Sequence, residues 1–188
     1  MPDGDLCKAE LHTDDYPANI VPHLQMEYHP ASSGLPRGSW RAPAHTANGF
    51  VVQSFIDELA HESGQDSLAF QLQLMGEPRE FNYANHGGPV FNPGRLANLL
   101  RLVAEKIDYQ QPRGKGRGVG LATFFAFGGY AAHAIAVSVD DQGGLYIDRV
   151  VVAIDCGFAV NPRGVKAQMQ GGTINALSTA LNLQITVD

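Results

Sequence analysis

Arg41 stands in Gly38-Ser-Trp-Arg-Ala-Pro43, a Pro-bearing turn that runs straight into an apolar segment ending near Ala60. A guanidinium on a rigid turn beside a helix N-terminus suits an anionic or oxo ligand, because the fixed cation and the unpaired backbone N–H groups act together. The alternative is a structural arginine paired with Asp57 or Glu58. A second stretch, Asp155-Cys-Gly-Phe-Ala-Val-Asn-Pro162, joins an apolar strand to a helix start, another place where ligands dock on backbone N–H groups. Gln168 follows early in that helix, just before Gly171-Gly172. Its carboxamide is able to read a heterocycle edge, or it is an exposed helix glutamine. Two glycines inside a helix cost about 1 kcal/mol each relative to Ala, which points to close approach by a backbone or ligand, or to tight helix packing.

The remaining reactive residues are more isolated. His45 has the chemistry of a base or ligand, but no second His or carboxylate stands at metal spacing beside it, so no metal site is expected. His61, His86 and His133 are equally solitary, and His133 reads as a near-core histidine with one satisfied nitrogen. Cys7 and Cys156 form no CxxC; they read as two buried thiols, with a disulfide between them as the alternative. No phosphate loop, dinucleotide fingerprint, nucleophile elbow or HExxH occurs. A net charge of −6, with Arg113-Gly-Lys115-Gly-Arg117 as the longest basic stretch, gives nucleic acid nothing to bind. No apolar run approaches the roughly 18 residues of a membrane span.

These residues need a scaffold, and 188 residues suffice for one domain or two small ones. Residues 1–37 read as a loop-rich opening segment with short extended pieces at Asn19–Val21 and Leu24–Tyr28. The acidic start has no signal pattern and reads as a chain that joins its fold midway. A helix is expected from about Thr46 to His61, with Phe50, Val51, Phe55 and Leu59 on one face and Gln53, Asp57, Glu58 and His61 outside it. Asp66 caps a second helix that Gly76 ends. Asn92-Pro93 starts a third, with Leu96, Leu99, Leu100, Val103 and Ile107 at helical spacing. Val119–Phe127, Tyr130–Val139 and Leu145–Asp155 read as antiparallel strands, and Val150–Ile154 as buried on both sides. Asn161-Pro162 opens a last helix to about Ala180, interrupted at Gly171-Gly172, before a strand at Leu183–Val187.

The ordered set of motifs resembles the molybdenum-binding large subunits of the xanthine dehydrogenase/aldehyde oxidase superfamily. The closer likeness is to the large (beta) subunits of the isoquinoline 1-oxidoreductase group and its aldehyde dehydrogenase-like relatives. The likeness rests on the Ser39-Trp-Arg-Ala-Pro43 turn, the Ser54-Phe-Ile-Asp-Glu-Leu-Ala60 helix, the Gly116-Arg-Gly-Val-Gly-Leu-Ala122 strand and Val137-Ser-Val-Asp-Asp-Gln-Gly143. It continues through Ile154-Asp-Cys-Gly157, Asn161-Pro162 and Ala167-Gln-Met-Gln-Gly-Gly172, and covers about residues 35–187.

The resemblance implies an α+β fold with helices packed on a mostly antiparallel sheet, residues 38–188 forming part of a molybdopterin-binding domain. It implies a molybdenum hydroxylase that oxidises an N-heteroaromatic carbon, as in isoquinoline, or an aldehyde, with oxygen from water. The cofactor would be molybdenum in molybdopterin cytosine dinucleotide, and the electrons would leave to an iron–sulfur small subunit. Arg41 then corresponds to the arginine beside the metal, where a cation stabilises negative charge that grows during attack. Gln168, with Gly171 and Gly172, corresponds to the cofactor contact. Pro43 replaces an aromatic residue that packs on the substrate ring in many relatives, so substrate preference does not carry over. In the family the general base is a glutamate well downstream of the Gln-x-x-Gly-Gly helix, a point this sequence does not reach, and further cofactor loops of the family are missing from it. The expectation is therefore an active parent protein and an isolated 188-residue chain that is inactive and binds no cofactor. The competing expectation is a non-enzymatic binding module, or a pseudo-enzyme partner, that keeps the fold.

Overall fold

The computed structural model describes residues 15–27, 29, 34, 38, 40–83 and 90–186. Cys7 and His86 lie outside this set. The chain divides into two compact units, Met1–Asp155 and Cys156–Asp188.

The first unit is organised by three antiparallel strands in the order β1 (Arg117–Ala126), β2 (Gly129–Val139) and β3 (Leu145–Asp155). Thr123 lies opposite Ala132, and Tyr130 opposite Asp155. The β2–β3 turn is held by Asp140, whose carboxylate accepts the N–H groups of Gly144 (2.7 Å) and Gln142 (2.9 Å) and the Tyr146 hydroxyl (2.9 Å). The bond from Gly144, then those from Tyr146 and Gln142, hold this carboxyl below its ordinary range.

Along β2, Tyr130, Ala132, Ala134 and Ala136 alternate inward and are buried. The three alanines leave room for the helix α3 (Pro93–Lys106), which presents Leu96, Leu100 and Val103 and is followed by Ile107, none more than 2% exposed. Burial of each such side chain is worth roughly 1.5–3 kcal/mol. Phe91, Phe125 and Tyr130 complete the core, with ring centroids 4.6 Å (Phe125–Tyr130) and 4.9 Å (Phe91–Phe125) apart. The start of α3 is as its sequence requires: Pro93 opens it and the Asn92 side chain accepts the Gly94 N–H at 2.9 Å. The helix α2 (Ser67–Met75) likewise begins with Asp66 accepting from Ala69 and ends at Gly76, φ 65°.

The helix α1 (His45–Glu62) departs from the expectation drawn from its apolar spacing. Its buried residues are His45, Gln53, Ile56 and Ala60, whereas Phe50, Val51, Phe55 and Leu59 are exposed. The reason is the strand beside it. β1 is an edge strand whose outward backbone groups are buried and need polar partners. Gln53 Oε1 accepts the Thr123 N–H at 2.9 Å, and Gln71 of α2 donates to the Leu121 carbonyl at 3.4 Å. Two carboxamides close the middle of that edge, and α1 turns its glutamine inward to do so.

Other expectations are corrected by local physics. Val150–Ala153 are half-buried and Ile154 is exposed, because β3 is the other edge strand rather than a strand covered on both faces. No strand forms among the described residues 15–27: Asn19 N–H bonds the Asp15 carbonyl and Ile20 N–H that of Pro17, a turn that consumes the local donors.

The second unit is a single described helix, α4 (Pro162–Asn182), whose N-cap Asn161 accepts the Gly164 N–H at 3.1 Å. It runs unbroken through Gly171-Gly172: propagation of a formed helix outweighs a propensity cost of about 1 kcal/mol per glycine. None of its residues is buried. Residues 183–186 are not strand, since no neighbouring strand is described in this unit to pair with them, and Val187 lies outside the described residues. Among the described residues, no helix is long and apolar enough to cross a membrane.

Candidate functional site

The turn that carries Arg41 is tightly wound. Ala42 (φ 52°) and Ala44 (φ 65°) both occupy the left-handed region that favours glycine. Such positions cost of order 1–3 kcal/mol each and persist where surrounding structure fixes them. Thr46 does so, its hydroxyl donating to the Arg41 carbonyl at 2.8 Å and that of Ala42 at 3.3 Å, while His45 N–H reaches the Pro43 carbonyl at 2.8 Å. Arg41 and Pro43 are exposed. No hydrogen bond or ion pair of the Arg41 guanidinium occurs among the described residues. Of its two alternative partners, Asp57 accepts instead from the Ser67 hydroxyl at 2.5 Å.

The helix that follows differs from the others in one respect. α2, α3 and α4 each begin with a capping Asp or Asn side chain, but α1 begins at Ala44 with no side-chain cap. Backbone carbonyls of the turn serve instead, the His45 N–H reaching that of Pro43 at 2.8 Å and the Thr46 N–H that of Ala42 at 3.2 Å. The positive end of the helix dipole and an exposed arginine four residues ahead of His45, on a strained turn, suit an anion such as a phosphate-bearing cofactor.

Gln168, Gly171 and Gly172 fall at i, i+3 and i+4 on α4 and so share a face. Gln168 and Gly171 are exposed, Gly172 is half-exposed, and a Cβ added at either glycine would meet no atom within 4 Å. Tight packing among the described residues therefore does not account for the glycine pair. The helix presents bare backbone next to a carboxamide able both to donate and to accept, a donor set that fits a pterin edge. Arg41 and Pro43 belong to the first unit, and Gln168, Gly171 and Gly172 to the second.

Two histidines lie against the first unit's core. His45 is buried edge-on to Phe127 (4.9 Å) and Phe124 (5.9 Å). His133 is half-buried on β2, and burial pushes its imidazole below the ordinary histidine range. No group of His, Cys, Asp and Glu suited to a metal ion occurs among the described residues. Cys156 is a free, exposed thiol rather than a buried one, because it lies just past the end of β3, beyond the last pair of the ladder.

One cluster was not visible in the sequence. Arg95, in the first turn of α3, grips Asp155 at the end of β3 with both prongs, Nε to Oδ2 at 2.7 Å and a terminal nitrogen to Oδ1 at 2.6 Å. The guanidinium lies over the Tyr130 ring, 4.3 Å from its centroid. Tyr130 in turn accepts the Asn92 N–H (2.9 Å) and donates to the Val90 carbonyl (3.2 Å). The bond to Asp155 raises the arginine's pKa. With the two side chains 40% and 33% exposed, the pair contributes up to about 1 kcal/mol. The partners lie 60 residues apart, and no short-range pattern links them.

Comparison with known proteins agrees with this framework. Residues 101–188 match the molybdopterin cofactor-binding domain. The chain is 30% identical over 173 residues to a nicotinate dehydrogenase subunit of Pseudomonas putida, covering 82% of this chain and 13% of that protein. It is 32% identical over 144 residues to the beta subunit of isoquinoline 1-oxidoreductase of Brevundimonas diminuta, 73% of this chain and 16% of the relative. It is 30% identical over 139 residues to a membrane-bound aldehyde dehydrogenase [pyrroloquinoline-quinone] of Gluconacetobacter polyoxogenes, 69% of this chain and 18% of the relative. The chain thus spans less than a fifth of the length of each of these relatives. With helices set on an antiparallel sheet and a cofactor-domain match over its C-terminal half, the chain belongs to the molybdopterin-binding xanthine dehydrogenase/aldehyde oxidase family.

Proposed function

We propose that the chain is part of the large subunit of a molybdenum hydroxylase acting on an N-heteroaromatic carbon or an aldehyde. The names of the relatives, a nicotinate dehydrogenase, an isoquinoline oxidoreductase and an aldehyde dehydrogenase, support these two substrate classes. The proposal extends to a pterin cytosine dinucleotide as the form of the cofactor and to an iron–sulfur protein partner as electron acceptor. The bound molybdenum cofactor would supply the redox chemistry. Within it, Arg41 and the positive end of the α1 dipole would hold negative charge, the guanidinium most usefully where charge develops during reaction. Gln168 would hydrogen-bond the pterin, and Gly171 and Gly172 would let the cofactor approach the helix backbone. Pro43, beside Arg41, would face the substrate.

The supporting observation is the Arg41 turn, with a strained backbone, a guanidinium bound to none of the described residues and no capping side chain on the helix behind it. The test uses the full-length protein purified with its iron–sulfur partner. Molybdenum should be present by mass spectrometry. Arg41→Ala should lower turnover strongly while shifting folding stability by no more than about 0.5 kcal/mol, as expected of an exposed side chain. Absence of molybdenum, or equal loss of turnover and stability, overturns the reading.

A further inference from the structure

We propose that Thr46 is a positioning residue for Arg41: its hydroxyl, by donating to the Arg41 and Ala42 carbonyls, locks the turn that carries the guanidinium. The functional half of this inference deepens the reading of Arg41 as the residue that meets negative charge, and rests on it.

The turn has a reason to relax. Ala42 and Ala44 both sit at positive φ, 52° and 65°, where a residue with a side chain is strained, and neither is the glycine that would adopt it freely. Pro43 between them has its φ held at about −65° by its ring, so a rearrangement must pass through the two alanines. Arg41 precedes this stretch, and its guanidinium makes no hydrogen bond or ion pair among the described residues. Where the arginine stands therefore follows from where its backbone is held.

Backbone bonds tie the stretch to the helix start: the His45 N–H to the Pro43 carbonyl at 2.8 Å, the Thr46 N–H to that of Ala42 at 3.2 Å and the Asn48 N–H to that of Ala44 at 2.9 Å. Any residue but proline at these positions would supply them. The bond to the carbonyl of Arg41 itself is different, because it comes from the Thr46 side chain, at 2.8 Å. It also differs from the ordinary bond of a helical threonine. Thr173 and Thr179 on α4 reach carbonyls four residues back, within their own helix. Thr46 reaches five residues back, past the start of α1 and into the turn. The helix start is in turn seated on the β1–β2 hairpin. His45 is buried edge-on to Phe127 and Phe124, and Gly49, one turn on, leaves room for the Phe124 ring, which a Cβ there would meet at 3.3 Å. The hairpin thus orders the first turn of α1, and Thr46 passes that order to Arg41. Thr46 is exposed, so valine in its place keeps the shape, removes the bond and leaves the core untouched.

Trp40, the single tryptophan of the chain and the neighbour of Arg41, is a native probe. In the 188-residue chain, time-resolved anisotropy reads its local motion. Thr46→Val should raise the fast-moving fraction about fivefold, the population shift that one lost hydrogen bond implies, and Thr46→Ser should restore the parent's value. Leu100→Ala, a cavity in the core, should lower the melting temperature and leave Trp40 unchanged. An unchanged Trp40 signal in Thr46→Val, or an equal rise in Leu100→Ala, overturns the proposal. In the full-length protein with its iron–sulfur partner, isoquinoline, nicotinate and an aromatic aldehyde serve as substrates. Thr46→Val should lower kcat about fivefold at unchanged molybdenum content and melting temperature, and Thr46→Ser should recover it. In an Arg41→Ala background, Thr46→Val should cost nothing further, since it acts through the arginine. A further loss of about fivefold in that background, or raised Trp40 motion with the parent's kcat, sinks the positioning role yet leaves the oxidoreductase reading intact. Full turnover in Arg41→Ala, or a parent that oxidises none of the three substrates, sinks the reading of Arg41 and, with it, the functional half of the inference.

Discussion

Replacing Gln53 with methionine should destabilise the protein more than removing a phenylalanine ring from the same helix. Gln53 is 9% exposed and Thr123, whose N–H it accepts at 2.9 Å, is 1% exposed. Methionine keeps the length and removes the acceptor. An orphaned buried N–H costs about 1–3 kcal/mol. Part of that is returned, because the Gln53 Nε2 has no partner among the described residues and its removal relieves a buried polar group. The net loss is about 1–2 kcal/mol, or a fall of about 2–8 °C in melting temperature for a chain of this size. Phe55 is 58% exposed, and alanine is a better helix former, so Phe55→Ala should stay within about 0.5 kcal/mol. Thermal and urea unfolding of the two variants decide the matter, and hydrogen exchange at the Thr123 amide localises it. A larger loss in Phe55→Ala than in Gln53→Met would mean that the apolar face of α1 points to the core, and the account of the β1 edge would be wrong.

Three further outcomes are expected. Asn92→Ala should cost about 1 kcal/mol in urea unfolding, the usual worth of a side-chain cap, and no loss would mean that the Gly94 N–H is satisfied elsewhere. Asp140 has a folded pKa below its unfolded one, so its contribution is complete above the ordinary carboxylate value and is lost as pH falls through the lower folded value. Protection of the Gly144 amide, measured relative to its intrinsic exchange rate, should fall on acidification through that window, and Asp140→Asn should remove that change. His133 also has a lowered pKa, but as a base: the unfolded chain takes up a proton that the folded one resists. Stability should therefore fall as pH drops below about 6.5, and His133→Gln should flatten that slope in urea titrations.

Elements with strong local grammar were legible from the sequence. Asp66 and Gly76 bounded α2, and Asn92-Pro93 with its leucine spacing fixed α3, because caps and helical period are properties of neighbouring residues. The three-strand meander followed from β-branched runs and an Asp-Gly-rich turn. The inward side of α1 was not legible, since it is set by the unpaired backbone of a strand some 70 residues away rather than by the helix's own apolar stripe. Val150–Ile154 looked fully buried because a run of branched residues does not reveal which strand stands at the edge. At the candidate site, Arg41, Gln168 and the glycine pair were found through motif order. The missing cap on α1 and the left-handed alanines needed coordinates, and the Arg95–Asp155 grip joins residues that nothing local connects.

The pair of glutamines along β1 also limits how such sheets could join. A strand from another molecule cannot pair with the middle of β1, whose outward amide and carbonyl are already taken. Among the described residues β3 has no strand on its outer side, so edge-to-edge growth has a single direction available. Two molecules meeting β3 to β3 would leave a β1 at each end, and the ribbon would terminate there instead of lengthening into a fibril.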